Sequence, residues 1–306
     1  LAGSTMLREL DLWGNPTSDI GKQAIADSAR CDVFLDLEPE AQPLRSPKFP
    51  INASMRCKLF DWLGEVVPST DCKGFFSRSS GALFRAFKYV DAYLALRPVS
   101  GNKLQLTGVA CVCVAAALER NSNARLEVLV ARLAHLTDGA CTREEVRSMT
   151  ASVQQVLGFR IYQPTADTFL RRYRRRLLLT DEDFCLASYL LESSAQHASC
   201  LGFHPQDLAA AAVALSFSNL QYPWRKVLLR YAREDLLKVI APCMVAIARV
   251  HADQYVQWHS CGGNASGRLK FVITKYASEG MHCVAAVAPT YASRRPDALG
   301  DVCPIS

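Results

Sequence analysis

Apolar positions recur along most of this chain with the three-to-four-residue spacing of amphipathic helices. In "SMRCKLFDWLGEV", residues 54–66, Met55, Leu59, Phe60, Trp62, Leu63 and Val66 share one broad arc at about 100° per residue, and Val67 continues it. Lys58, Asp61 and Glu65 fall on the opposite side. Arg56 does not: it projects from inside the apolar arc, where a lone guanidinium is expensive to bury. The next amphipathic segment, "GALFRAFKYVDAYLAL", carries the complementary anomaly. Leu83, Phe84, Phe87, Val90 and Leu94 form its apolar arc, and Asp91 lies within it. A cation and an anion buried on consecutive helices answer each other, so the pattern predicts an Arg56–Asp91 ion pair that fixes how the two helices dock. Removing one partner of such a pair strands the other, at about 3–5 kcal/mol.

Two further segments, "KLQLTGVACVCVAAAL" (103–118) and "DLAAAAVALSFSNL" (207–220), are apolar on nearly every side. A helix of that kind must be surrounded by other helices. Each is preceded by about two helical stretches and followed by about two more, which predicts an internal duplication of a small all-helical unit. Gln163-Pro164 breaks the helical pattern between the units. The expected organisation is an N-terminal arm over 1–46, a first repeat over 47–163, a second over 164–290 and a tail over 291–306. Within the first fifty residues, Ser18 to Asp36 is helix-capable and Glu38 to Pro50 is proline-rich.

Composition narrows the function. Half of the 306 residues are hydrophobic and 21% are charged, which suits a folded chain. A net charge of +6 and a pI near 8.7 fit an ordinary solvated surface, and no basic stripe interleaved with aromatics points to nucleic acid. Of the twelve cysteines, Cys111, Cys113, Cys185 and Cys243 sit inside apolar helical runs, and no C-x-x-C occurs. With no visible secretory signal, the expectation is a reducing, intracellular setting, nucleus or cytoplasm. The longest apolar run, Leu106 to Leu118, is too short to span a bilayer. His197, Cys200 and His204 match no trusted zinc spacing, so no metal is expected. Asp181, Glu182 and Asp183 follow Thr180 and suit the first turn of a helix. "RRYRRR", Arg171 to Arg176, reads as a solvated helix face, with nuclear import as its alternative. Without a phosphate-binding glycine loop or a nucleophile–base set, neither an enzyme nor a cofactor is expected.

These segments carry a resemblance. "SMRCKLFDWLGEV" resembles the opening helix of the cyclin box, "ALFRAFKYVDAYL" its second helix and "GNKLQLTGVACVCVAAALE" its central third. "VQQVLGFRIYQPTADTFLRRY" is similar to the fifth helix and the passage into the second repeat. "DLLKVIAPCMVAIARVH" and "RLKFVITKYASEGMHCVAAVAP" resemble the end of mitotic A- and B-type cyclins. The resemblance implies an all-α chain of two tandem five-helix cyclin folds with an N-terminal helical arm. It also implies a regulatory subunit that binds and activates a cyclin-dependent kinase and recruits substrates. Arg56, Asp91 and Leu106 stand at the family's framework positions.

Carried over residue by residue, the kinase-binding surface comprises Val114, Ala117, Glu119, Thr150, Phe159 and Ile161. Ala117 stands where the family has a lysine and Thr150 where it has the partner glutamate, so two charge-assisted contacts are absent from the expected grip. Phe159 and Ile161 keep the apolar pocket for the kinase's regulatory helix. A second implied surface, the docking patch for Arg-x-Leu peptides, comprises Met55, Leu59, Trp62, Glu65, Leu104 and Gln105. There Lys58 replaces a branched apolar residue and adds a cation. The altered grip leaves an alternative open: a cyclin-fold scaffold or adaptor that activates no kinase.

Overall fold

A computed structural model describes residues 9–12, 32–35, 51–69, 72, 74–76, 81–118, 123–158, 161, 163–219, 236–260 and 270–289. Asn52 opens the first repeat: its side-chain oxygen accepts from the Met55 amide at 2.9 Å and starts α1 (Ala53–Val66). α2 (Ala82–Leu96) follows, then a turn of 3₁₀ helix (Gly101–Lys103) leads into α3 (Leu104–Ala117). α3 is buried at every position from Leu106 to Ala116, as a helix apolar on all sides must be. α4 (Asn123–Leu136) and α5 (Arg143–Leu157) complete the repeat. Thr142 and Glu145 cap α5 reciprocally, and Gly158 ends it at φ +51, in the region that favours glycine.

The second repeat contains α6 (Ala166–Leu177), α7 (Asp181–Gln196), α8 (Pro205–Asn219), α9 (Leu236–Ser260) and α10 (Phe271–Tyr276) among the described residues. α3 is wrapped by α2, α4 and α5, and α8 by α6, α7 and α9, so each apolar helix is the axis of its own hydrophobic core. α10 is tied to α7 by Glu192, whose Oε1 accepts from Lys275 Nζ at 2.6 Å and from the Tyr276 hydroxyl at 2.9 Å.

One expectation needs correction. The resemblance implies a helical arm, and Ser18 to Asp36 is helix-capable. Its described end is instead extended: β2 (Asp32–Leu35) pairs in parallel with β1 (Glu9–Leu12), Glu9 opposite Asp32 and Leu12 opposite Leu35. The Val33-Phe34-Leu35 stretch has the β-branched and aromatic character that suits a strand, and pairing supplies its backbone partners. The rest of that segment lies outside the described residues. The apolar arc of α2 serves both cores: Phe84 packs against the second, across the junction, while Phe87 lies in the first.

Candidate functional site

α1 holds the two repeats together. Arg56 is 2% exposed and forks onto Asp91, Nε to Oδ1 and Nη2 to Oδ2, each at 2.7 Å. Its remaining donors cross to the second repeat: Nη1 reaches the Gln196 carbonyl at 3.1 Å and Nη2 the Ala195 carbonyl at 3.0 Å. These are the last carbonyls of α7, the negative end of its dipole. The guanidinium also lies 4.0 Å over the Phe60 ring, which stacks on Phe87 at 4.1 Å. One side chain thus docks α1 on α2 and caps a helix some 140 residues later.

Asp61 makes the second tie. Its carboxylate accepts from the amides of Lys270 at 3.1 Å and Phe271 at 3.0 Å, and so caps α10 from outside. Gly64, one turn on, seats the Phe271 ring, and a Cβ there would fall 2.2 Å from it. Neither residue is singled out by the apolar period of α1, because their partners lie about 200 residues away. Where the repeats meet, a cavity of about 90 Å³ is lined by Phe84, Phe87, Lys88, His197, Phe203 and Leu208 among others.

The implied kinase surface maps to the α3–α5 edge. Val114 is fully buried in the first core, whereas Ala117, at the end of α3, is partly exposed. Thr150 is partly exposed on α5, and its hydroxyl donates to the Val146 carbonyl at 2.7 Å. Burial pushes the neighbouring Cys113 thiol up to about 12. Ile161 packs half-buried on the first core, and its carbonyl accepts from the Tyr89 hydroxyl at 2.5 Å. Glu119 and Phe159 lie outside the described residues. At positions 117 and 150 this edge therefore offers a methyl and a turned-in hydroxyl.

The implied peptide patch divides between core and surface. Leu59 and Leu104 are each 6% exposed and belong to the first core. Leu59 lies against Gly108, where a Cβ would meet its Cδ1 at 2.8 Å, so that glycine sets how closely α1 and α3 approach. Met55, Trp62 and Gln105 are partly exposed, and Glu65 and Lys58 are exposed. The surface is an aromatic and a thioether between a cation and a carboxylate.

The remaining candidates resolve into structure. Thr180 and Asp183 form a capping box at the start of α7. In the basic cluster, Arg171 pairs with Asp167 at 2.7 Å, Arg172 is buried, and Arg174 pairs with Asp181 at 2.7 Å. Only Arg175 and Arg176 of that run are exposed. His197 is part-buried, which lowers its pKa. Among the described residues no His, Cys, Asp or Glu group is arranged to hold a metal, and no helix is long and apolar enough to cross a membrane.

Two helical repeats, each wrapped on a buried apolar axis, define a tandem cyclin fold. Residues 33–162 match the family model "Cyclin, N-terminal domain" and residues 164–290 match "Cyclin, C-terminal domain". The chain belongs to the cyclin family. It is 33% identical over 234 residues to Cyclin-A1-2 of Oryza sativa subsp. japonica, covering 72% of this chain and 47% of that protein. It is 32% identical over 274 residues to Cyclin-A3-4 of Arabidopsis thaliana, covering 84% and 68%. The chain spans about half the length of A1-type relatives such as the first. A solved viral cyclin from herpesvirus saimiri shares the fold, with a TM-score of 0.50 and 16% identity over 65% of this chain and 87% of that one.

Proposed function

We propose that the chain is the regulatory subunit of a cyclin-dependent kinase, which it binds and activates and to which it recruits substrates, in the nucleus or cytoplasm. The observation that carries this reading is the pair of cyclin repeats over 33–290 with A-type cyclins as relatives. The α3–α5 edge is the kinase-binding surface, with Ile161 beside it as an apolar anchor. Burial of such a side chain contributes about 1.5–3 kcal/mol, comparable to the polar contacts that Ala117 and Thr150 do not make.

Affinity purification followed by mass spectrometry tests the reading: a cyclin-dependent kinase is expected with the wild type and lost with Ile161→Asp, circular dichroism showing both folded. If no kinase co-purifies, the second reading takes over, a cyclin-fold adaptor that activates no kinase. Thr150 favours that alternative, because its hydroxyl is already engaged with the Val146 carbonyl.

A further inference from the structure

The corner between α6 and α7 displays an apolar side chain that neither core uses. Leu178 is 84% exposed and holds φ +52, a left-handed backbone that costs any residue bearing a Cβ. The corner is braced around it. Arg174 donates to Asp181 at 2.7 Å and lies 4.3 Å over the Phe184 ring, while Leu179 is buried next to the tip. Leu178 is singled out by its strained backbone, held in place by the bracing around it, and strain of that kind marks a site of function. Charge flanks it in order: Arg175 and Arg176 are exposed on the α6 side, and Glu182 is exposed on the α7 side.

The α1 patch carries the reverse order. Lys58 and Glu65 are both exposed and share a helix face about 10 Å apart, with partly exposed Trp62 and Met55 beside them. We propose that the α6–α7 corner of one copy docks on the α1 patch of a second copy. Arg175 and Arg176 face Glu65, Leu178 covers Trp62 and Met55, and Glu182 faces Lys58. The inference rests on the reading of α1 as a docking surface. The contact is between copies, because α7 runs about 24 Å from the corner to the carbonyls that Arg56 holds, leaving the corner at the far end from its own α1. Each copy offers its corner to the next and its patch to the one before, so the contact runs head to tail. Lys58, out of place for a patch that takes basic peptides, gains a partner in Glu182.

Sedimentation equilibrium of the full chain at low salt tests this. The wild type's weight-average mass is expected to rise beyond that of a dimer with concentration. Leu178→Asn, which suits the left-handed backbone and keeps the corner folded, is expected to weaken association at least tenfold, as is Trp62→Ala. An equimolar mixture of these two variants is expected to form a one-to-one pair and nothing larger. Lys58→Glu is expected to weaken association, and adding Glu182→Lys to restore it. A wild type that stays monomeric up to about 0.1 mM, or variants that associate as the wild type does, overturns the proposal. If an Arg-x-Leu peptide binds that monomer through Trp62, the patch reading survives alone; if it does not bind, both fall.

Discussion

Arg56 is the residue on which both repeats depend, and its chemistry predicts how it fails. Removing the guanidinium takes the fork away from part-buried Asp91 and opens two carbonyls of α7; removing Asp91 takes the carboxylate from a buried cation. Arg56→Ala and Asp91→Ala are each expected to destabilise by about 3–5 kcal/mol, and the double variant by clearly less than the sum. A urea-denaturation cycle measures the coupling. Half of this site was legible in the sequence, because two opposite charges stood on facing apolar arcs. The carbonyls of Ala195 and Gln196 were not, since a backbone acceptor leaves no mark on residue type. His251 makes a different residue-scale prediction. It is fully buried edge-on to Tyr189, and burial lowers its pKa from 6.5 to about 4. Between those values the unfolded chain binds more protons than the folded one, so its contribution is whole above about pH 6.5 and drains away as pH falls toward 4. Thermal unfolding at pH 7 and pH 5 is expected to show a smaller acid loss for His251→Gln than for the wild type.

Among the elements, α1 is read on three sides. Its apolar period marks the side facing the first core, and that much was legible. Gly64 and Asp61 serve α10, and Phe84 of α2 serves the second core; local period does not say which core a given apolar side chain enters. Gly64→Ala is expected to lower stability by about 1–3 kcal/mol through overpacking on Phe271, although alanine is the better helix former. Chemical denaturation checks the loss, and a smaller loss in a Phe271→Leu background identifies the ring as its cause. The exposed side of α1 is the peptide patch that the resemblance implies. Trp62→Ala with Glu65→Ala is expected to leave folding intact and weaken an Arg-x-Leu peptide, as fluorescence polarisation would show. Equal affinity for both proteins would remove the patch.

Across the whole molecule, Arg56 and Asp61 couple the repeats, so the chain is expected to unfold in one calorimetric transition. Arg56→Ala with Asp61→Ala is expected to separate it into two. The α3–α5 edge carries the prediction about the partner: Ala117→Lys with Thr150→Glu is expected to preserve or broaden kinase association in a pull-down, and reduced binding would count against that surface. The duplication was legible because an all-apolar helix can sit only at the centre of others. The junction was not, since its ties join residues from opposite ends of the chain.

The route from Arg56 to α7 also bears on the order in which the protein is made. A ribosome releases α1 and α2 long before α7, and Asp91 is then already present to neutralise the guanidinium. The first repeat therefore emerges with its buried charge matched and with the two N–H groups that will meet α7 still to be placed. When α7 and α10 follow, their open ends find acceptors and donors on a helix that has been waiting for them. A second repeat synthesised by itself would have no such template: the final carbonyls of α7 and the first amides of α10 would both be left to water.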